Sequence, residues 1–199
     1  MLKLYGTKRS SAYRCHWLIA ELGLAYETVS VDFAAGENKS EPFLKLNPNG
    51  KIPVMVDGDF VLFESFAINA YLAEKHQPAL LGTNVQEHGL VAQWNAWALA
   101  NLADPFMTLI LQGYRKTPDN DDTAAARAAI DRFLPILDVA LEGKDYLVAG
   151  TFTIADINVS TTVAGAETSG VDVSKYANIV RWMQGLNARP AVVKMHAEA

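Results

Sequence analysis

Ser10 and Ser11 stand side by side in a polar run, residues 6–11, that also holds Thr7, Lys8 and Arg9. Apolar residues follow at helical spacing (Trp17, Leu18, Ala20, Leu22), with Gly23 as the stop. A hydroxyl in that place can cap the helix by accepting from its first N–H groups. It can also donate to an anion seated at the helix N-terminus, where open amides and the helix dipole favour negative charge. The residues alone leave both readings open. Glu64-Ser65 is a second such pair, ahead of Ile68, Tyr71 and Leu72. Ser65 reads there as an N-cap with an acid, Glu64, beside it. Other chemistries find no support. His16, His76, His88 and His196 have no metal-ligand spacing, no Ser-His-Asp set can be assembled, and Cys15, the only cysteine, lies inside a helix and reads as a buried structural thiol.

The elements that must position these groups centre on residues 47–70. Asn47-Pro48-Asn49-Gly50 is a cluster of turn residues, and residues 52–56 are short, apolar and β-branched, as in a buried strand. Asp57-Gly58 reads as a type I′ hairpin turn, residues 60–63 as the returning strand, and Ser65 as the helix cap. Pro53 suits only the start of a strand or a turn, because it has no N–H to give to a sheet. Upstream, residues 2–5 alternate as a strand, a helix follows, and residues 26–31 alternate again. Strand–helix–strand, then hairpin and helix, implies an α/β layer whose first two strands are parallel.

Residues 77–82, QPALLG, form a connector, and beyond it the pattern turns helical. Residues 87–112 carry apolar side chains at three- and four-residue steps, with a bend expected at Asp104-Pro105. Residues 123–141 form another helix, with Pro135 a possible kink. Thr153 followed three residues later by Asp156 is a capping-box signature. Residues 176–187 close the helical part, and Arg189-Pro190 begins a short tail.

At 199 residues the chain can hold one large domain or two small ones. Its net charge is −5, with eight Lys/Arg against nine Asp/Glu up to residue 76 and nine against thirteen beyond it. Neither half offers the basic face that a phosphate backbone requires, so no nucleic-acid partner is expected. A single cysteine allows no intrachain disulfide, Lys3, Lys8 and Arg9 interrupt any leader-like apolar run, and no stretch approaches the length of a membrane span. The expectation is a cytoplasmic protein without a membrane partner.

The segment NPNGKIPVMVDGDFVLFESFAINAYLAE resembles the glutathione-binding half of the cytosolic glutathione transferase family. Ser10 followed four residues later by Arg14 is similar to the serine-type pattern of theta-, delta- and phi-like members, and the chain has a bacterial-looking character. Arg9-Ser10-Ser11 also resembles the zeta class, but Ala12 replaces its cysteine, which argues against zeta-type isomerase activity. The resemblance implies an α/β thioredoxin-like domain over 1–76, a linker over 77–84 and an all-helical electrophile-binding domain over 85–199. It implies glutathione as co-substrate, no metal, and a cis bond before Pro53. A hydroxyl at the helix start would stabilise the thiolate: Ser10 first, Ser11 as runner-up, then Tyr13, with Tyr5 more suited to the core. Lys51, and more loosely Lys39, would hold the glycine carboxylate. Ile52, ahead of Pro53, would pair its backbone with the cysteinyl residue as an added strand does. Glu64 and Ser65 would receive the γ-glutamyl end. Phe66 stands where many serine-type members have arginine, so one polar contact is absent.

In the helical half the resemblance points to Trp97, Asn101, Phe106, Met107 and Tyr114 as candidates for the electrophile pocket, and to Thr153 and Asp156 as a buried capping box with a folding role. The implied activity is conjugation of glutathione to a small, hydrophobic electrophile, a detoxification chemistry. Two rival readings stand beside it: a glutathione-dependent isomerase, dehalogenase or peroxidase, and a non-catalytic binding or assembly module of the same fold. The family also implies a homodimer, with Phe60 and Phe66 as candidate interface residues.

Overall fold

A computed structural model describes residues 1–197. The chain divides into two compact units, residues 1–78 with 190–199, and residues 79–189.

The first unit is built on a four-stranded sheet, order β2-β1-β3-β4. Its strands are β1 (Leu2–Tyr5), β2 (Tyr26–Val29), β3 (Val54–Asp57) and β4 (Phe60–Phe63). β1 runs parallel to β2 and antiparallel to β3, so Leu4 lies opposite Thr28 on one side and Met55 on the other. The alternation in β1 explains this, since Leu2 and Leu4 are buried while Lys3 and Tyr5 are half-exposed. Helices α1 (Tyr13–Glu21) and α3 (Ser65–His76) pack on one another, and α2 (Glu41–Leu46) precedes the site turn. Leu18, Ile19, Ile68 and Leu72 are fully buried, each such side chain contributing about 1.5–3 kcal/mol of burial.

Two local expectations are corrected. The hairpin pairs Asp57 with Phe60, so its turn residues are Gly58 and Asp59, and only Gly58 has positive φ (64°). A type I′ turn at Asp57-Gly58 is therefore not formed. The expected short tail contains a helix, Pro190–Ala197, which packs on α1.

The second unit is helical: α4 (Val85–Ala98), α5 (Asp104–Arg115), α6 (Asp121–Ala140), α7 (Ile154–Val163), α8 (Gly165–Ser169) and α9 (Ala177–Asn187). The tail helix is thus α10. The interruption expected at Asp104-Pro105 is a π-helical segment immediately upstream, Leu99–Ala103. Asn101 donates its side-chain amide to the Trp97 carbonyl there (2.8 Å), taking up an acceptor of the disturbed ladder. α6 starts on a reciprocal Asn120–Thr123 capping box and carries Pro135 inside it. Leu102, Phe106, Leu109, Ile130, Leu134, Ile157 and Trp182 make its core. No helix among the described residues is long and apolar enough to cross a membrane.

Candidate functional site

Ser11, Asn47, Lys51, Ile52, Pro53, Glu64 and Ser65 line a cavity of about 160 Å³ in the first unit. Three pieces of chain meet there: the end of the loop after β1, the turn before β3, and the start of α3. The Ile52–Pro53 peptide is cis. Asn47, 2% exposed, organises the turn: its Nδ2 donates to the Lys51 carbonyl (2.6 Å) and its Oδ1 accepts from the Asn49 N–H (3.0 Å). Its part in lining the cavity was missed in the sequence, although an asparagine opening an Asn-Pro-Asn-Gly turn is the signal for such a self-bonded loop.

The two serines separate. Ser11 lines the cavity and donates its hydroxyl to the Ile52 carbonyl (3.0 Å). Ser10 is turned to its own loop, donating to the Thr7 carbonyl (2.7 Å) and accepting from the Ala12 N–H (3.2 Å). Ser10 thus braces the helix entrance, and of the two it is Ser11 that lines the cavity. Neither is the N-cap of α1, which is Ala12. Tyr13 commits its hydroxyl to the His196 ring of α10 (3.0 Å), and burial raises its pKa. Tyr5 packs edge-on against Phe43.

At α3 the expected cap is displaced by one residue. Ser65 is the first helical residue and Glu64 the N-cap position, with no side-chain cap. Glu64 has φ 72° and ψ 111°, a conformation that side chains rarely adopt and that costs about 1–3 kcal/mol. Among the described residues, the side chains of Lys51, Glu64 and Ser65 make no hydrogen bond or ion pair, and the Ile52 N–H has no acceptor. Behind them, Cys15 is fully buried and its thiol donates to the Ser65 carbonyl (3.6 Å). Burial pushes that thiol up to about 12, against a smaller opposing effect of nearby Arg14. Arg14 itself is lowered to about 10 by burial, and its guanidinium lies 4.8 Å from the centre of the Phe66 ring. Phe66, the departure from the arginine pattern, thus becomes a platform for a cation from another helix.

The other candidates are placed elsewhere. Lys39 is exposed and does not line the cavity. In the helical unit, Phe106 is 2% exposed and belongs to the core, which withdraws it from a ligand-facing role. Trp97 is half-buried between Trp94 and Phe133, and Asn101 is tied to the Trp97 carbonyl. Met107 and Tyr114 are exposed on α5. Thr153 and Asp156 form a reciprocal capping box at α7. No group of three or more His, Cys, Asp or Glu side chains among the described residues is arranged to hold a metal.

Comparison with known proteins agrees across both units. Residues 1–74 match the family described as glutathione S-transferase, N-terminal domain, and residues 102–190 match its C-terminal domain. Glutathione S-transferase 1 of Zea mays is 34% identical over 205 aligned positions, which cover 98% of this chain and 96% of that protein. A glutathione S-transferase crystal structure from Pseudomonas fluorescens is 30% identical, with a TM-score of 0.85 and 96% of each chain covered. The structure of glutathione S-transferase-I bound with lactoylglutathione is 29% identical, with a TM-score of 0.87, covering 100% of this chain and 99% of that one. The chain belongs to the glutathione S-transferase family of enzymes.

Proposed function

We propose that this enzyme binds glutathione in the Ser11–Ser65 cavity, holds its sulfur as thiolate, and transfers it to a small hydrophobic electrophile. The observation that carries the reading is the 3.0 Å hydrogen bond from Ser11 to the Ile52 carbonyl. It puts a hydroxyl donor beside a peptide, just ahead of β3, whose N–H has no acceptor among the described residues. A cysteinyl residue lying along Ile52 in strand fashion would accept from the Ile52 N–H and donate its own N–H to the Ile52 carbonyl. That incoming donor competes with Ser11 for the carbonyl, and the Ser11 hydroxyl turns to the sulfur. A free thiol has a pKa near ~8.5, and a hydrogen bond to the charged form lowers it. Lys51 supplies a cation for the glycine carboxylate, and Glu64 with the Ser65 helix start receives the γ-glutamyl ammonium and carboxylate. The thiolate then forms a carbon–sulfur bond, and the leaving group departs with its electron pair, or the acceptor carbon's π electrons move away and are protonated.

Exposed Met107, Leu111 and Tyr114 on one side of α5 support a hydrophobic acceptor. The same reading carries a cytoplasmic homodimer, for which Phe60, 45% exposed, is an apolar contact residue. Sedimentation that finds only monomer at low micromolar concentration removes the dimer.

The test is titration of thiolate absorbance against pH with glutathione bound. Ser11→Ala should raise the thiol's pKa and slow conjugation about ten- to a hundredfold, one hydrogen bond to a charged atom, with binding largely kept. Ser10→Ala should leave the thiolate in place. The reverse pattern gives the role back to Ser10. Product analysis over an electrophile panel separates a transferase from its rivals: turnover without a conjugate identifies an isomerase, and binding without turnover a binding module.

A further inference from the structure

Three consecutive carbonyls lead into the cavity, and each accepts from a side chain. Ile52 is held by Ser11 (3.0 Å), Lys51 by Asn47 (2.6 Å) and Gly50 by Asn38 (2.8 Å). Two of these donors line the cavity. Asn38 does not: it sits in the turn Glu37–Lys39, twelve residues before its acceptor, and is only 8% exposed. A buried amide whose Nδ2 reaches another loop's carbonyl ties two otherwise irregular segments together.

The backbone agrees with the side chain. Gly50 has φ 62°, and a Cβ placed on it would stand 3.0 Å from the Asn38 carbonyl oxygen. The two segments therefore touch at main-chain distance, and glycine is needed both for the turn's hand and for the approach. The Asn38 loop is itself braced. The Asp32 N–H donates to the Glu37 carboxylate (2.7 Å), the Glu37 N–H to the Asp32 carbonyl (2.9 Å), and the Asp32 carboxylate accepts from Ala34 and Ala35 (2.8 and 3.0 Å). Asn38 thus presents its amide from a fixed frame.

We infer that Asn38 is a positioning residue of the glutathione site: through the Gly50 carbonyl it fixes the turn that delivers Lys51 and the Ile52 peptide to the ligand. This rests on the proposed reading of the cavity. Asn38 touches no ligand, so its contribution appears in binding and not in the chemical step. With the donor removed, the peptide after Gly50 is free to rotate, and the open Ile52 N–H and the Lys51 side chain no longer start from the bound geometry.

The experiment is glutathione titration by calorimetry, with steady-state kinetics on chlorodinitrobenzene and thermal melts, on the wild type, Asn38→Asp, Asn38→Ala and Gly50→Ala. Asn38→Asp keeps the size but sets an oxygen against the Gly50 oxygen. Each variant should weaken glutathione binding and raise its KM about three- to tenfold, the worth of one neutral hydrogen bond, while kcat at saturating glutathione stays within about twofold of wild type. An unchanged glutathione affinity in folded variants, whether or not the melting temperature falls, overturns the inference and leaves Asn38 a stability residue. A fall in kcat with unchanged affinity overturns it as well. If the Asn38 variants do not fold, Gly50→Ala carries the same two outcomes from the other side of the contact. A wild-type chain that does not bind glutathione overturns the reading of the cavity itself, which is a different failure.

Discussion

Two helix starts in this chain use the same residue types and come to opposite states. At α7, Thr153 and Asp156 are fully buried, and every contact closes inward. The Asp156 carboxylate accepts from the Leu147 N–H (2.9 Å), the Thr153 N–H (2.9 Å), the Thr153 hydroxyl (3.2 Å) and the Trp182 indole (3.0 Å). At α3, Glu64 and Ser65 also combine an acid and a hydroxyl, yet neither side chain has a partner among the described residues and both line a cavity. Hydrogen-bonding capacity committed to the fold stabilises it. Capacity left open at a helix N-terminus is available to a ligand. The difference between a closed helix start and an open one lies in that bookkeeping, not in the residue types.

The comparison is broken most severely at α7. Asp156→Ala removes the acceptor for four buried donors, and stability should fall by on the order of 4 kcal/mol. Urea unfolding of the variant measures it. Burial alone raises the Asp156 pKa, and the four donors oppose that rise by favouring the charged form. A variant within about 1 kcal/mol of wild type would show that water replaces the carboxylate and that the box is not a closed unit.

How far these two regions could be read in advance follows from the same distinction. The capping box is written in four consecutive residues, so Thr153 and Asp156 were legible in the sequence without tertiary knowledge. The Ile52-Pro53 strand entrance was legible for the same reason, whereas the cap read at Ser65 falls one residue earlier, on Glu64. Which of Ser10 and Ser11 lines the cavity was not legible. It depends on the Ile52 carbonyl, 41 residues away in the chain, meeting one hydroxyl and not its neighbour. Asn38 is a similar case, because nothing within the 32–40 loop announces that its amide reaches Gly50. Phe106 fits a helical stripe on either a core or a pocket wall, and only packing puts it in the core. The π-helical segment escaped too, since Pro105 marks an interruption but not its type.

A smaller effect sharpens the comparison at α3. Glu64 holds φ 72° without a cap, so the backbone there is strained in favour of an open site. Glu64→Gly should relieve that strain by more than glycine's added freedom in the unfolded chain costs, leaving the protein about 0.5–1 kcal/mol more stable. The same variant loses the carboxylate proposed for the γ-glutamyl ammonium, so glutathione should bind roughly ten- to a hundredfold more weakly. Stability and affinity then move in opposite directions, whereas at Asp156 the effect is a loss of stability. Paired melts and glutathione titrations decide it. A variant that is both less stable and unchanged in affinity removes both the strain and the ligand role from Glu64.

The smallest expected effect lies beneath the site loop, where His16 is a committed group inside the site-bearing unit. Its ring is fully buried, with Nε2 2.9 Å from the Gly6 carbonyl and Nδ1 2.7 Å from the Tyr26 hydroxyl. A carbonyl can only accept, so Nε2 carries the proton, and a neutral ring leaves Nδ1 to accept from Tyr26. Burial lowers the His16 pKa from its ordinary 6.5; the bond to Gly6 opposes this and the charge of Lys8 adds to it. With the folded value below the unfolded one, the unfolded chain binds the proton more readily. His16 therefore contributes fully above the unfolded value, and stability falls as pH drops through 6.5 toward the lowered folded value, below which the His16 slope vanishes. Urea unfolding across roughly pH 5 to 8, in wild type and His16→Gln, reads that slope. The variant should be less stable at every pH but should lose the His16 part of the slope between wild-type points. An identical slope in the two proteins would mean that the ring is not the titrating group.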